Sequence, residues 1–375
     1  MKKIAQTYNM PTQLYFGRNI FSQLIAFLPS EKKSNFLIIC GKHFKRSSAY
    51  QTFVSALKKD TAVVYPAEIE RSDFQTITEL TTYCRKHPVK GIIAVGGGTV
   101  IDVGKCASIL INHTGSIQEY LLPPKKDLIQ KGIFFVAVPT TAGTGTEVTP
   151  WATVWQNKKK YSLSASYMFP DIALVDPALT DTLPDSVTAV SGMDALCQAI
   201  EAFWNKNHTR MSDAFALMAI TTILSSLTQA VRKPTTKSRD TMALGSLQAG
   251  LAFSQTQTTI CHALSYSLTA RWQIPHGQAV AVTMPLFLTQ FIPALPKERQ
   301  QQLLKVLHAK TVTHASKNMQ QLMQDIGLKT TFSELGITKE DIPMIAEESF
   351  SSNRTSNNPL TFTSDRLTHL LYNIL

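Results

Sequence analysis

Asp194 and Gln198 stand four residues apart in Gly192–Trp204, GMDALCQAIEAFW. On a helix that spacing puts both side chains on one face. A carboxylate and a primary amide so placed can share a metal ion, yet Gln is a neutral, weak ligand where a metal-binding helix would usually offer His or Glu. The stretch therefore reads three ways: half of a metal site, an impaired one, or a helix with polar residues on its wet side. Two loops offer chemistry of another kind. In Ile92–Lys105, IIAVGGGTVIDVGK, a glycine run follows a strand-like segment and opens a helix-like one. Without Cβ atoms, Gly97 and Gly98 let their N–H groups approach a pyrophosphate, and the positive helix end favours it. Thr99 fits as cap or phosphate donor, and Asp102 lies one turn in. The spacing is neither GxGxxG nor a P-loop, and a tight strand–helix turn explains it equally well. In Val138–Thr149, VPTTAGTGTEVT, the hydroxyls of Thr140, Thr141, Thr144 and Thr146 share seven residues with two glycines. Such a loop has many donors and no bulk, which suits sugar and diphosphate oxygens. An ordinary turn is the plain alternative, but two such loops after adjacent strands weaken it.

Loops of this kind need a sheet to hold them. Between about 35 and 140, the runs NFLIIC, TAVVYP, GIIAVGG and FFVAVP read as short buried strands, and helix-like segments near 47–58, 74–86 and 99–112 separate them. That alternation predicts a parallel sheet wrapped by helices, with ligands at the carboxyl ends of its strands. After about residue 183 the apolar residues recur at helical spacing only. The fold class is thus an α/β dinucleotide-binding domain over 1–182, followed by an all-helical domain over 183–375. The boundary falls near DPALTDTLPDS, where Pro184 fits a first helical turn. A cleft between the halves is the natural substrate site. The segment 350–359, FSSNRTSNNP, reads as a Ser- and Asn-rich loop.

The chain has 375 residues, 44% of them hydrophobic, which suggests two globular domains. No apolar run is long enough to span a membrane, and the N-terminal lysines precede no apolar stretch of a secretory signal. The five cysteines are scattered, without a CxxC pair, which fits reduced thiols in a cytoplasmic protein. Most of the net charge of +11 falls in the first half. No dense basic run with interleaved aromatics accompanies it, so a phosphate-rich cofactor or anionic substrate explains the charge better than nucleic acid does.

Five stretches in order, the two loops with ALVDPALT (173–180), GMDALCQAIE and HALSYSLTARWQIPHG (262–277), resemble the iron-containing alcohol dehydrogenase family, from about residue 10 to the C-terminus. The resemblance implies a fold like that of dehydroquinate synthase, one divalent metal ion (Fe2+ or Zn2+), and hydride transfer between NADH or NADPH and a carbonyl or alcohol carbon. By position it implies Asp194, Gln198, His262 and His276 as metal ligands. Gly96, Gly97, Gly98, Thr99 and Asp102 fall on the pyrophosphate loop, and Thr140, Thr141 and Thr144 on a second cofactor loop. Lys160, after a short hairpin, falls on a basic position facing the cofactor, and Leu179 on the adenosine wall. Mixed nitrogen and oxygen ligands suit Fe2+ or Zn2+. Dimers are common in the family, although no stretch here marks an interface.

The chain departs from the family pattern at three places. Gln198 replaces a common His, leaving Asp194, His262 and His276 as the good ligands and weaker metal retention as the consequence. Tyr266 stands where several members have a second His; it shares a helical face with His262 and suits proton donation, with a packing aromatic as the alternative. Gly41 ends the first strand where NAD-preferring members show Asp, and Lys42, Lys45 and Arg46 follow, so NADPH should be accepted. Several stretches further resemble the phosphonoacetaldehyde reductase branch, whose dianionic substrate needs donors. Arg271, Arg354, Asn357 and Asn358 are the candidates, with surface-loop ordering as the alternative for the last three. A small anionic or polar aldehyde is the expected substrate, with no nucleic-acid or membrane partner. A general alcohol dehydrogenase of the same family is the next reading, and an NADP-binding regulator without turnover the reading from another class.

Overall fold

The computed structural model of the chain describes residues 5–29, 35–57 and 61–375. They form two compact units. One comprises Met10–Thr141 and Gly145–Thr182; the other runs from Leu183 to Leu375 and takes in Ala142–Thr144 and the described residues before Met10. The main division falls between Thr182 and Leu183, and the threonine loop is shared: Thr140 and Thr141 lie in the first unit, Thr144 in the second.

The first unit is built on six parallel strands: β1 (Gln13–Phe16), β2 (Phe36–Cys40), β3 (Ala62–Val64), β4 (Gly91–Gly96), β5 (Phe134–Pro139) and β8 (Ile172–Val175), in the order β1-β8-β5-β4-β2-β3. A separate antiparallel hairpin pairs β6 (Trp151–Gln156) with β7 (Lys159–Ser164). The inner strands are apolar without a break because both faces of the sheet are covered. Alternate residues go to opposite cores: Leu37, Ile39, Ile92, Ala94 and Phe135 to one, and Phe36, Ile38, Ile93, Val95 and Val136 to the other. Helices Ser48–Ala56, Phe74–Lys86 and Gly98–Leu110 fill the connections. The last lies close against the sheet because of Gly104, where an added Cβ would stand 2.7 Å from the Phe135 ring and 3.1 Å from the Ala94 Cβ. Strands β1 and β8 and the hairpin, which the alternating runs do not announce, complete the unit.

The second unit is helical throughout. Its long members, Asp185–Trp204, Arg210–Leu224 and Thr236–Thr256, pack on one another. Thr209 and Thr235 open two of them with reciprocal capping boxes to Ser212 and Ser238. Helices Ile260–Trp272 and His276–Ala281 follow, joined by a turn in which Gln273 takes a left-handed conformation with φ 55°. Within the expected loop 350–359, Asn353–Asn357 form a short 3-10 helix.

Candidate active site

Asp194 lies midway along the Asp185–Trp204 helix, whose residues are buried on almost every side from Gly192 to Trp204. His262 sits in the first turn of Ile260–Trp272, and His276 opens the next helix. The approach of that helix depends on Gly277, where a Cβ would fall 1.9 Å from the Val190 carbonyl oxygen, one turn before Asp194. Backbone packs on backbone there, and His276 is carried to the carboxylate. The His262 Nε2 stands 3.2 Å from the Asp194 Oδ1, and the His276 Nε2 stands 3.9 Å from it. One donor atom from each of the three residues lies within 4.8 Å of the other two. Asp194 and His262 are each 4% exposed, and His276 is half-buried.

Gln198 completes the group in an informative way. Its side chain is buried, and its amide oxygen has no hydrogen-bond partner among the described residues. A buried amide oxygen without a donor costs about 1–3 kcal/mol, and a cation one turn from Asp194 would satisfy it. The donor set of one carboxylate, two imidazoles and one orphaned amide oxygen fits a divalent ion of the Fe2+ or Zn2+ kind.

Around this group lie Glu201, Ser265 and Tyr266. Glu201 is fully buried, two turns beyond Asp194. One of its carboxylate oxygens accepts from the Thr259 hydroxyl (2.7 Å) and the Cys261 N–H (2.9 Å), and the other closely contacts the His262 Nδ1. Burial disfavours the Glu201 charge, but the facing His262 and these donors prevail and lower its pKa. Burial likewise disfavours the His262 cation, but Glu201 and Asp194 outweigh it and lift the pKa to about 9. The Ser265 hydroxyl donates to the His262 carbonyl (2.7 Å) and stands 3.3 Å from the His276 Nδ1. Tyr266 is half-buried, its ring nearly parallel to the His276 ring at 6.4 Å. Neither Glu201 nor Ser265 belongs to the ligand set expected from sequence. The signal for Glu201 is its place at i+7 from Asp194, which extends the face carrying Gln198.

In the sheet unit, the glycine run leaves β4 and opens Gly98–Leu110. Gly97 occupies the cap position with no side-chain cap, and Thr99 is an exposed residue within the first turn, so Thr99 is not the cap. Asp102 is buried and turned inward: its carboxylate accepts from the Thr146 hydroxyl (2.6 Å) and the Thr153 N–H (2.9 Å). It braces the threonine segment and the hairpin rather than facing outward to a ligand. Lys105, also buried, donates to the Thr149 carbonyl (2.7 Å) and the Trp151 carbonyl (2.9 Å) and reaches the Thr146 hydroxyl (3.1 Å). Thr141 lies beside Gly97, and the Thr140 N–H donates to the Gly96 carbonyl (3.0 Å), so the two loops adjoin. Gly41 follows the last residue of β2 and caps a helical turn, Lys42–Lys45. Lys160 lies within β7, inside the hairpin and not after it, with its ammonium 5.9 Å from the Trp155 ring centre. Leu179 is half-buried in the 3-10 turn Pro177–Thr180 and packs on the sheet core.

The residues expected to meet an anionic substrate are mostly engaged elsewhere. The Arg271 guanidinium is gripped by both carboxylate oxygens of Glu348. Asn357 donates to the Thr258 carbonyl (3.0 Å) and accepts from Asn207 (3.1 Å), and Asn358 accepts from the Ile260 N–H (3.1 Å). The two asparagines brace the start of the helix that carries His262: Asn358 satisfies one of the backbone donors that its first turn leaves unpaired, and Asn357 holds the carbonyl of Thr258 just before it. Arg354 is half-buried in the 3-10 turn Asn353–Asn357, which ends at the first of them.

A parallel sheet with a glycine turn at its carboxyl edge, and a helical unit with a convergent carboxylate and two imidazoles, together describe a nicotinamide- and metal-dependent oxidoreductase. Residues 11–177 match the family described as iron-containing alcohol dehydrogenase, and residues 188–375 match the C-terminal part of the Fe-containing alcohol dehydrogenase family. The chain belongs to the iron-containing alcohol dehydrogenase family and is an NAD(P)-dependent enzyme acting on alcohols or aldehydes. A sulfoacetaldehyde reductase of Bilophila wadsworthia is 30% identical over 81% of this chain and 81% of that protein. An NADPH-dependent butanol dehydrogenase of Clostridium saccharobutylicum is 28% identical over 96% of this chain and 95% of that one. The crystal structure of sulfoacetaldehyde reductase from Bifidobacterium kashiwanohense in complex with NAD+ superposes with a TM-score of 0.92, at 30% identity and 99% coverage of both chains. Among the described residues no helix is long and apolar enough to cross a membrane, and all five cysteines are buried and free.

Proposed function

We propose that the chain reduces a small anionic aldehyde to its alcohol with NAD(P)H, and that phosphonoacetaldehyde, giving 2-hydroxyethylphosphonate, is a substrate. The observation that carries the chemistry is the convergence of Asp194, His262 and His276, with Gln198 one helical turn beyond Asp194 and its buried amide oxygen without a hydrogen-bond partner among the described residues. These four residues would hold the metal ion. When bound, that ion supplies a Lewis acid for the aldehyde oxygen, and the nicotinamide supplies the hydride. Tyr266, half-buried beside His276, serves as donor of the proton that the product alkoxide needs. The glycine turn and the threonine segment hold the cofactor diphosphate through backbone N–H groups and hydroxyls. Gly41, in place of a carboxylate, leaves room for a 2′-phosphate.

The anionic character of the substrate is supported by the likeness to two proteins named sulfoacetaldehyde reductases and by the basic excess of the chain. A phosphonate and a sulfonate on a two-carbon aldehyde are both tetrahedral oxyanions recognised by charged donors. Arg271, which pairs with Glu348, and Arg354, in the 3-10 turn Asn353–Asn357, are the cations proposed for that contact. The test is NADPH and NADH oxidation by the metal-loaded enzyme with phosphonoacetaldehyde, sulfoacetaldehyde and butanal. The proposal requires kcat/KM for the two anions to exceed that for butanal; a preference for butanal would return the chain to a general alcohol dehydrogenase.

A further inference from the structure

We infer that Glu201 and Ser265 are positioning residues that fix the ring orientation and tautomer of His262 and His276, so that both present an Nε2 lone pair toward Asp194. The inference rests on the proposed metal role of the two histidines and concerns what sets their geometry. A neutral imidazole carries one proton, and only the other nitrogen can bind a metal. Which nitrogen is left depends on the partner of its neighbour. In His262 the Nδ1 faces a Glu201 carboxylate oxygen, which can only accept, so the proton belongs on Nδ1. Its Nε2 then faces the Asp194 Oδ1 at 3.2 Å, where two acceptors meet without a hydrogen between them once His262 is neutral. A positive charge between them relieves that contact: a bound metal ion or, without one, the second ring proton that the raised pKa of His262 reflects.

His276 repeats the device with a neutral group. The Ser265 hydroxyl has one proton, and its contact with the His262 carbonyl at 2.7 Å uses it. Toward the His276 Nδ1, at 3.3 Å, it can therefore only accept. The His276 proton is drawn to Nδ1, and its Nε2 is left for the side facing Asp194, at 3.9 Å. Ser265 thereby joins the His276 ring to the backbone of His262.

Glu201 is itself held. Its oxygen that is turned away from the His262 ring accepts from both the Thr259 hydroxyl and the Cys261 N–H, and the Thr259 hydroxyl accepts in turn from the Trp204 indole at 2.9 Å. The Cys261 N–H is one of the unpaired donors in the first turn of Ile260–Trp272, so the carboxylate also caps the helix that bears His262. One side chain thus ties the Asp194 helix to the His262 helix and sets the ring. A carboxylate buried only to stabilise the fold would not need to meet the imidazole.

The experiment uses the full-length protein with Zn2+ in competition with a chromophoric chelator, and Co2+ as a spectroscopic probe. Wild type is compared with Glu201→Gln and Ser265→Ala. Glu201→Gln keeps the shape but offers a donor amide to Nδ1, and is expected to weaken Zn2+ binding by roughly 10–100-fold and to alter the Co2+ visible bands. Ser265→Ala should weaken Zn2+ binding less and also change the bands. A merely structural role would lower thermal stability while leaving Zn2+ affinity and the Co2+ spectrum of the folded protein unchanged, and that result overturns the inference. If Glu201→Gln does not fold, Ser265→Ala and a crystal structure of Zn2+-loaded wild type decide. Ligation through Nε2 of both rings, with Glu201 on the His262 Nδ1, supports the inference; ligation through Nδ1, or by Glu201, refutes it. A wild type that binds no Zn2+ removes the metal site itself, whereas a wild type that binds and variants that bind equally remove only the positioning role.

Discussion

Gln198 is the residue at which this chain asks most of its metal site. An amide oxygen donates less than imidazole and brings no charge, yet burial leaves it without a hydrogen-bond donor among the described residues. Replacing it by His supplies a stronger ligand at the same helical position, so Gln198→His should retain Zn2+ about tenfold more tightly or better in chelator titration. Equal loss from both proteins would show that position 198 lies outside the coordination sphere. Tyr266 is the second exacting residue. Removing only its hydroxyl, in Tyr266→Phe, should lower kcat by about 100-fold while metal content and KM for NADPH stay near wild type. Unchanged kcat would make Tyr266 a packing ring for His276.

At the scale of elements, the threonine segment after β5 is held from beneath. Lys105 and Asp102, from the helix that follows the glycine turn, meet Thr146, Thr149, Trp151 and Thr153. Both charges are buried, and so is Glu147 beside them. Burial lifts the Glu147 pKa from 4.5 to about 7. Between those values the folded chain keeps a proton that the unfolded chain has lost, so stability falls as pH rises through that window. Glu147→Gln should flatten the pH dependence of thermal unfolding from about pH 4.5 to 7, read by calorimetry at several pH values; an unchanged slope would assign it to other groups. The proposed acceptance of NADPH is tested at Gly41, the residue after β2. A Cβ at Gly41 would lie 3.3 Å from the Val100 side chain, a tight contact with a movable methyl group. Gly41→Asp should therefore fold and shift the ratio of kcat/KM for NADPH over NADH toward NADH by roughly tenfold or more, because the carboxylate repels the 2′-phosphate.

The whole molecule couples the site to folding through linkage. The residues proposed to hold the metal come from three separate helices, so an ion that binds them would stabilise the fold of the helical unit and have no equivalent site in the unfolded chain. Free Zn2+ at 100 times its Kd should add about 2.7 kcal/mol, seen as a higher melting temperature than in chelator-treated protein. A melting temperature insensitive to the metal would contradict a site built from all three helices. The division into a sheet unit and a helical unit also predicts that this gain appears in the transition of the helical unit.

Much of this was open to reading in the amino-acid order. Unbroken apolar runs such as FLIIC and GIIAVG require a sheet covered on both faces, and β2, β4 and β5 lie where those runs stand. The loss of strand alternation after residue 183 marks the helical unit, and the spacing of Asp194 and Gln198 places both on one helix face. Such features are local, set by backbone periodicity and by turn residues. Strands β1 and β8 are less apparent: both are only four residues long, and β1 is an edge strand whose register is chosen by a partner far along the chain. What a side chain touches is not local either. Sequence alone offered Asp102 to the cofactor and Arg271 and the two asparagines to the substrate, but burial and long-range partners commit Asp102 to Thr146 and Thr153, Arg271 to Glu348, and Asn357 and Asn358 to backbone. The same long-range packing brings Glu201 and Ser265 to the two histidines. The sequence by itself determined the two-unit architecture and the ligand types, because periodicity and residue chemistry are written along the chain. Only the tertiary structure decided which nitrogen of each histidine faces Asp194, because that depends on residues brought together from three helices.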